Sequence, residues 1–482
     1  MINSEKYQVV IGLEVHAQLL TKSKLFCSDS TAFGAEPNTQ VSQISLAHPG
    51  TLPKLNAKAI EYAVTLGLAL QCNIQQDNFF ARKNYFYPDL PKGYQVSQHT
   101  APVCNAGSVS ITGKEGKRQV KLNRIHLEED AGKSIHDADP DYTCIDLNRA
   151  GVPLLEIVSE PNLFSADEAY TYLTELRKIV RWLKVCDGNM EEGSMRCDAN
   201  ISLRLKNDTK LGTRVEVKNL NSIRNVKKAI EIETARLADI LENNGTVIQE
   251  TRSFDADTNT TFSLRNKEEA DDYRYFPEPD LSPFHISTQY IENIRNTMPP
   301  LPEALVDSYI KEYNLSEYDA SVICSEKEDS LFFESLIETT KNYKAAANWL
   351  IGPIRHYCNE HSMAIVEFPL SPKNIASLIE LTDEGLLGFN TASTKLMQAL
   401  ITNPSANVRE LASSLNLLQE TDSAVVETWI NETLMRMPDK VKEYKAGKKG
   451  LIGLFSGEVK KLSKGKADMQ LVNKLLAEKL DQ

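Results

Sequence analysis

Short runs of alternating apolar and polar residues fill much of the first two hundred positions and predict β-strands. In Val9-Val10-Ile11-Gly12-Leu13-Glu14-Val15-His16, Leu13 and Val15 fall on one face and Glu14 and His16 on the other, because side chains along a strand repeat every two residues. Val120-Lys121-Leu122-Asn123 alternates in the same way and runs through Arg124 and Ile125 into His126-Leu127-Glu128-Glu129-Asp130. Ile145, Leu147, Val152, Leu154, Ile157 and Val158 mark extended apolar segments around Gly151-Val152-Pro153. In Gly212–Lys218, Arg214, Glu216 and Lys218 share one face, Val215 and Val217 the other.

Two segments switch to the helical period. Phe164-Ser165-Ala166-Asp167-Glu168 predicts a helix start, with Ser165 capping free N–H groups, Glu168 reaching back and Phe164 as a staple. Leu173, Leu176, Ile179, Val180 and Leu183 then supply the apolar stripe. A second helix is expected from about Asn225 to Leu241, stopping near Asn243-Asn244-Gly245. Strands mixed with a few helices, without a regular strand–helix repeat, predict an α+β fold. After Met298-Pro299-Pro300-Leu301-Pro302 helical patterns dominate, and a further break falls at Asn403-Pro404-Ser405. The expected domains are therefore 1–293, 294–404 and 405–482.

With 482 residues, 41% apolar and 25% charged, the chain can bury several cores. It contains no apolar run of about eighteen residues, and its start lacks a basic segment followed by an apolar one, so neither a membrane span nor a signal peptide is expected. Eight cysteines without a Cys-x-x-Cys pair fit reduced thiols and a cytoplasmic setting. A net charge of −12 argues against general polyanion binding, DNA included. The charge is uneven, however: from Arg436 to the end, twelve Lys/Arg face six Asp/Glu, a local +6 that leaves −18 on the rest. A basic tail on an acidic body is the pattern of an RNA contact confined to one end, although a solvated lysine-rich helix face has the same composition.

The chemistry concentrates in acidic blocks: Glu14 with His16, Glu128 to Asp130, Glu156 and Glu160, then Glu191, Glu192 and Asp198. Acids set among apolar neighbours are costly to bury unless a cation compensates them, and a hard divalent cation takes carboxylate oxygens directly or through water. A half-wet strand would carry the same residues. The loop Arg82-Lys83-Asn84-Tyr85-Phe86-Tyr87-Pro88 through Tyr94, and Asp271–Asp280, mix cations with aromatics, as phosphate and base contacts require but as an aromatic mini-core would also show. Gly447-Lys448-Lys449-Gly450 with the later Lys464 and Lys466 suits close approach of a phosphate backbone. No Walker-type loop and no Gly-x-Ser-x-Gly elbow occur.

Ile11–His16, Arg82–Pro88, His126–Ser134, Asp146–Pro161, Glu191–Asn200, Val217–Ser222 and Asp271–Asp280 together resemble the GatB family, one component of the GatCAB tRNA-dependent amidotransferases. The C-terminal 447–480 segment resembles the family's tail, so the resemblance spans the chain. It implies a glutamine synthetase-like first domain. It also implies ATP- and Mg²⁺-dependent phosphorylation of the side-chain carboxylate of Glu-tRNA(Gln) and/or Asp-tRNA(Asn), followed by amidation with ammonia. The ammonia would come from the amidase GatA, in a heterotrimer completed by GatC. Catalytic roles would fall to Glu14, Glu129, Glu156 and Asp198, with the metal held by Glu14, His16, Glu129 and Glu156. Arg82, Lys83 and Lys218 are the expected nucleotide contacts, and Lys448, Lys449, Lys464 and Lys466 the tRNA contacts.

One departure stands out. Many relatives carry a four-cysteine zinc knuckle after the first strand, whereas here Cys27 stands with Asp29, Ser42 and Ser45, and no zinc is expected. Two other classes of function remain: a non-catalytic RNA scaffold, which would leave the acidic blocks without a task, and a stand-alone ligase, which the helical extension and tail disfavour.

Overall fold

The computed structural model describes residues 6–113, 116–136, 138–266, 273–419, 422–463 and 465–481. Lys464, Asp271 and Asp272 lie outside them. The chain forms two compact units, Met1–Leu301 and Pro302–Gln482.

The first unit is built on a 13-stranded sheet. Its strands are β1 (Tyr7–Gln18), β2 (Ala81–Asn84), β3 (Tyr94–Ser97), β4 (Gly116–Glu129), β5 (Pro153–Ser159), β6 (Met195–Leu205), β7 (Val215–Lys218), β8 (Glu250–Asp255), β9 (Thr260–Asn266) and β10 (Phe276–Pro277). They lie in the order β9-β8-β7-β6-β1-β5-β4-β3-β2-β10, and three short strands at 73–74, 104–105 and 108–113 branch off. Most neighbours run antiparallel; β7 and β8 are parallel. The fold is thus a mixed α+β one with a large sheet.

Alternation sorts the two faces. Ile11, Leu13, Val15 and Ala17 of β1, and Cys197, Ala199 and Ile201 of β6, are buried in the core. Helices α1 (Ala57–Ala69), α2 (Ala166–Trp182) and α3 (Ile223–Glu242) add apolar residues to it, including Val64, Leu173, Leu176 and Ile230. The other face carries Glu14, His16, Arg196 and Asp198, all half-buried. Between β5 and β4 the pairing passes from Val158↔Arg124 to Ser159↔Leu122, so Asn123 is an extra residue. That bulge moves the inward set of β4 from Val120 and Leu122 to Ile125 and Leu127.

The helix ends show where local signals hold. Ser165 caps α2 by accepting from the Glu168 N–H at 3.1 Å. Glu168 reaches one residue further back than a capping box requires, to the Phe164 N–H at 2.7 Å, and is pinned by Arg118. Phe164 is exposed beneath the Arg118 guanidinium, 5.4 Å from its ring, and is no staple. Helix α3 starts two residues before the expected Asn225 because Ser222 caps it. It ends with Asn244 at φ +58° and the Gly245 N–H bonded to the Ile240 carbonyl.

The second unit is helical. The Lys344–Ile351 pattern forms a helix at Tyr343–Trp349 that widens into a π-turn at Leu350–Ile354, where Pro353 sits, and continues to Glu360. The last helices, Ser423–Arg436, Pro438–Lys445, Ile452–Leu462 and Met469–Asp481, enclose their own core of Val426, Ile430, Tyr444, Phe455, Val459, Val472 and Leu476. Among the described residues no helix is long and apolar enough to cross a membrane.

Candidate functional site

Strand register sets the polar face of the sheet in rows. One row runs Asp198 (β6), Glu14 (β1), Val158 (β5), Arg124 (β4), with Lys218 of β7 pairing Asp198 at its end. The next runs Arg196, His16, Glu156, His126. A third brings Gln18, Leu154, Glu128 and Ser97 into line. Register therefore gathers acids and bases on neighbouring strands, about 4.8 Å apart.

His16 is the hub. Its Nε2 lies 3.7 Å from Glu14, 3.6 Å from Glu128 and 3.5 Å from Glu156. His126 Nε2 is 3.5 Å from both Glu128 and Glu156, and Arg124 reaches Glu156 at 3.4 Å. Glu128, Glu156 and His126 are buried. Burial by itself would lower the His16 pKa, but the bond to Glu156 and the charges of Glu128, Glu156 and Glu14 outweigh it and raise it to about 9. Burial would raise Glu156, yet His126, His16 and Arg124 hold it well below the usual carboxylate range. Glu14 is raised, first by burial and then by the charges of Glu156 and Asp198. Burial would lower Lys218, and Asp198 and Glu216 more than reverse that.

Two sets of donor atoms lie within 4.8 Å of one another: Glu14, His16, Glu156 and His126, Glu128, Glu156. These oxygen-rich donors, with two buried glutamates, fit a hard divalent cation.

The expected residues Glu14, His16 and Glu156 converge here, and Asp198 adjoins Glu14 across the β1–β6 pair. Glu129 does not. With Leu127 in the core and Glu128 on the polar face, the next residue turns away. Glu129 pairs with Lys92 and accepts from the Val96 N–H at 2.9 Å. The structure puts Glu128 where Glu129 is expected. His126 and Arg124 also enter the cluster, and the bulge-shifted alternation of Ile125 and Leu127 is the signal that marks them. Behind the cluster the buried carboxylate of Asp130 is bonded by Arg196 at 2.9 Å and Gln18 at 2.9 Å, with Arg149 at 3.7 Å.

The expected phosphate contacts divide. Arg82 is committed: it grips Glu278, whose side chain is 1% exposed, through two bonds of 2.7 Å, touches Asp280 and lies over the Tyr94 ring. Lys83 stands over Tyr273 and Tyr85. Lys218 borders Glu14's row. In the tail, Lys448 meets Glu443 at 3.0 Å, Lys449 covers the Tyr444 ring and Lys466 meets Asn416.

The positions matching the zinc knuckle do meet in space. Cys27 Sγ is 3.4 Å from Ser45, and Asp29 accepts from Ser45 and from the Ser42 N–H. The fully buried Lys24 adds its ammonium, 3.4 Å from Ser45 and 3.3 Å from the Leu147 carbonyl. One thiol, one carboxylate and two hydroxyls beside a fixed cation do not fit a structural zinc.

Comparison with known proteins places the chain in a family. A family model described as the GatB/GatE catalytic domain matches residues 9–292, and one described as the GatB domain matches 331–480. The GatB protein of Thermodesulfovibrio yellowstonii, a component of its aspartyl/glutamyl-tRNA(Asn/Gln) amidotransferase, is 48% identical over 471 residues, 98% of each chain. Its counterparts in Geobacter sp. strain M21 and Persephonella marina are 47% and 46% identical, over 98% of this chain and 99% and 100% of theirs. Matched by the catalytic-domain model over more than half its length, and by these relatives over nearly all of it, the chain belongs to the GatB/GatE family.

Proposed function

We propose that this chain is the activating and amidating subunit of a tRNA-dependent amidotransferase, a carbon–nitrogen ligase of protein biosynthesis. The side-chain carboxylate of Glu-tRNA(Gln) and/or Asp-tRNA(Asn) attacks the γ-phosphorus of ATP. ADP leaves and an acyl phosphate forms. Ammonia then displaces phosphate to give the amide. The observation that carries this reading is the convergence of Glu14, Glu128 and Glu156 on His16, with Lys218 and Arg124 at the two ends of one row.

Bringing a carboxylate to a triphosphate joins two anions, so cations must flank the approach. Lys218 of β7 and Arg124 of β4 would supply those cations. Mg²⁺ would be held by Glu14 and Glu156, with His16 and Glu128 beside them, and would supply positive charge that screens the approach of the two anions. Asp198 fixes the Lys218 ammonium, and the Asp130–Arg196 pair stiffens the row beside His16. The reading further assigns a glutamine synthetase-like fold to 1–293, a helical domain to 294–404 and tRNA contacts in 405–482 to Lys448, Lys449, Lys464 and Lys466. It includes an amidase partner, GatA, assembled with GatC in the cytoplasm.

The test is ADP formation by the assembled complex. ADP should appear with ATP and mischarged tRNA together, and correctly charged tRNA should not replace the mischarged form. A complex that binds mischarged tRNA and leaves ATP intact would instead be a scaffold.

A further inference from the structure

One border of the charged face ends in a ladder of rings that the phosphorylation chemistry does not use. Tyr87, Tyr85, Tyr273 and Tyr275 follow one another edge to face, with centroids 5.7, 6.1 and 6.2 Å apart. Tyr275 then stacks flat on His99, at 4.0 Å and 11°. Lys83 lies over the middle of the ladder, 4.8 Å from Tyr273 and 5.6 Å from Tyr85, and among the described residues no carboxylate lies within ion-pair distance of it.

The ladder is no buried mini-core. The core aromatics of this region are Phe26 and Phe80, at 4% and 1% exposure. Tyr87 is 56% exposed, and His99 is exposed although one face is covered by Tyr275. The inner end reaches the carboxylates. Ser97 pairs with Glu128 across the sheet, and His99 follows two residues later. Burial, then the charges of Glu128 and Glu156, raise the Tyr275 phenol above its ordinary range.

We infer that His99 and Tyr275, continued by Tyr273, Tyr85 and Tyr87, form a stacking platform for the single-stranded 3′ end of the tRNA, with Lys83 neutralising its backbone. The inference rests on the proposed function. Bases in a duplex hide their faces, whereas an unpaired 3′ end offers them to aromatic rings, and a cation between stacked bases meets the phosphates. The adenine of ATP is the competing occupant, but five rings exceed what one base needs. A cation midway along the ladder also suits a chain that continues past it.

The experiment measures binding of deacylated tRNA to the assembled complex, with and without its three 3′-terminal nucleotides. Wild type should prefer the intact tRNA by 5- to 150-fold, the range of about 1–3 kcal/mol for a stacked base. His99→Ala combined with Tyr275→Ala should cut that preference below about threefold and leave the affinity for clipped tRNA unchanged, which checks the fold. Tyr275→Phe, which keeps the ring, should retain it. MgATP affinity, measured in parallel, should be the same in all three proteins. No preference in wild type, a preference that survives the double alanine variant, or a loss of MgATP affinity in that variant would each overturn the assignment. The last result would give the platform to the nucleotide's adenine. Binding needs no turnover, so failure of ADP formation would overturn the proposed reaction and not this one.

Discussion

Cation binding at the His16 cluster should expel a proton, and the size of the effect follows from the geometry. In the metal-free protein His16 is protonated at pH 7, because Glu156, Glu128 and Glu14 raise its pKa from 6.5 to about 9. That gap corresponds to roughly 3 kcal/mol. A divalent ion among donor atoms that lie within 4.8 Å of one another would stand at most about 5 Å from the imidazolium. At an effective dielectric constant of about 20, charges of +2 and +1 at that distance repel by roughly 7 kcal/mol. The repulsion wins and the proton leaves. At pH 7 removing it costs about 2.7 kcal/mol, so the apparent Mg²⁺ affinity should tighten about fifty-fold between pH 7 and pH 9. Titration calorimetry in two buffers of different ionisation enthalpy would measure both the affinity and the proton released. His16→Gln should abolish the slope. Equal affinity at pH 7 and pH 9, or an unchanged slope in His16→Gln, would refute the reasoning.

Three further outcomes follow. Glu128→Gln should slow ADP formation far more than Glu129→Gln, since Glu128 touches His16 and His126 while Glu129 is spent on Lys92 and Val96; equal losses would return Glu129 to the centre. Arg82→Met should lower stability by about 3–5 kcal/mol in urea unfolding, because it strands the buried Glu278 carboxylate, and Glu278→Gln added to it should recover part of the loss. Lys448→Gln with Lys449→Gln should reduce the salt dependence of tRNA binding by a slope of about 1–2, as fewer counterions are released; an unaltered slope would reassign the tail to folding or partner contact.

The strand readings around Glu14 and His16 are legible because alternation alone assigns their face, and the burial of Leu13 and Val15 follows the same rule. The same period separates Glu128 from Glu129, but only if the count starts at Ile125. The bulge at Asn123 breaks the phase carried over from Val120 and Leu122, and a bulge leaves no mark in composition. Arg82 shows a different limit. A cation in an aromatic loop looks available for phosphate, and its partner Glu278 lies 196 residues further along the chain. Pairing at that separation is decided by the fold of the sheet edge, where β10 lies against β2. The Ser165 cap is local, and local chemistry locates it; the Ser222 cap is missed, and the expected start of that helix falls two residues late.

The rows also explain how a buried acidic cluster forms without first collecting a metal. Glu156 is 7% exposed, and an isolated carboxylate there would cost several kcal/mol. Its neighbours one strand away are His16 and His126, and Arg124 reaches it from β4, so register supplies the counter-charges as the strands pair. Asp198 is met by Lys218 and Asp130 by Arg196 in the same manner. A cation arriving at such a face exchanges with charges already present. Its affinity is therefore set by the difference between its own attraction to the carboxylates and that of the His16 proton it expels. The carboxylates can hold their positions throughout, since packing against Leu155, Ile157 and Leu127 on the core side fixes the strands that carry them. Preorganisation of that kind would suit the proposed reaction, in which a charged nucleotide enters and leaves in every cycle.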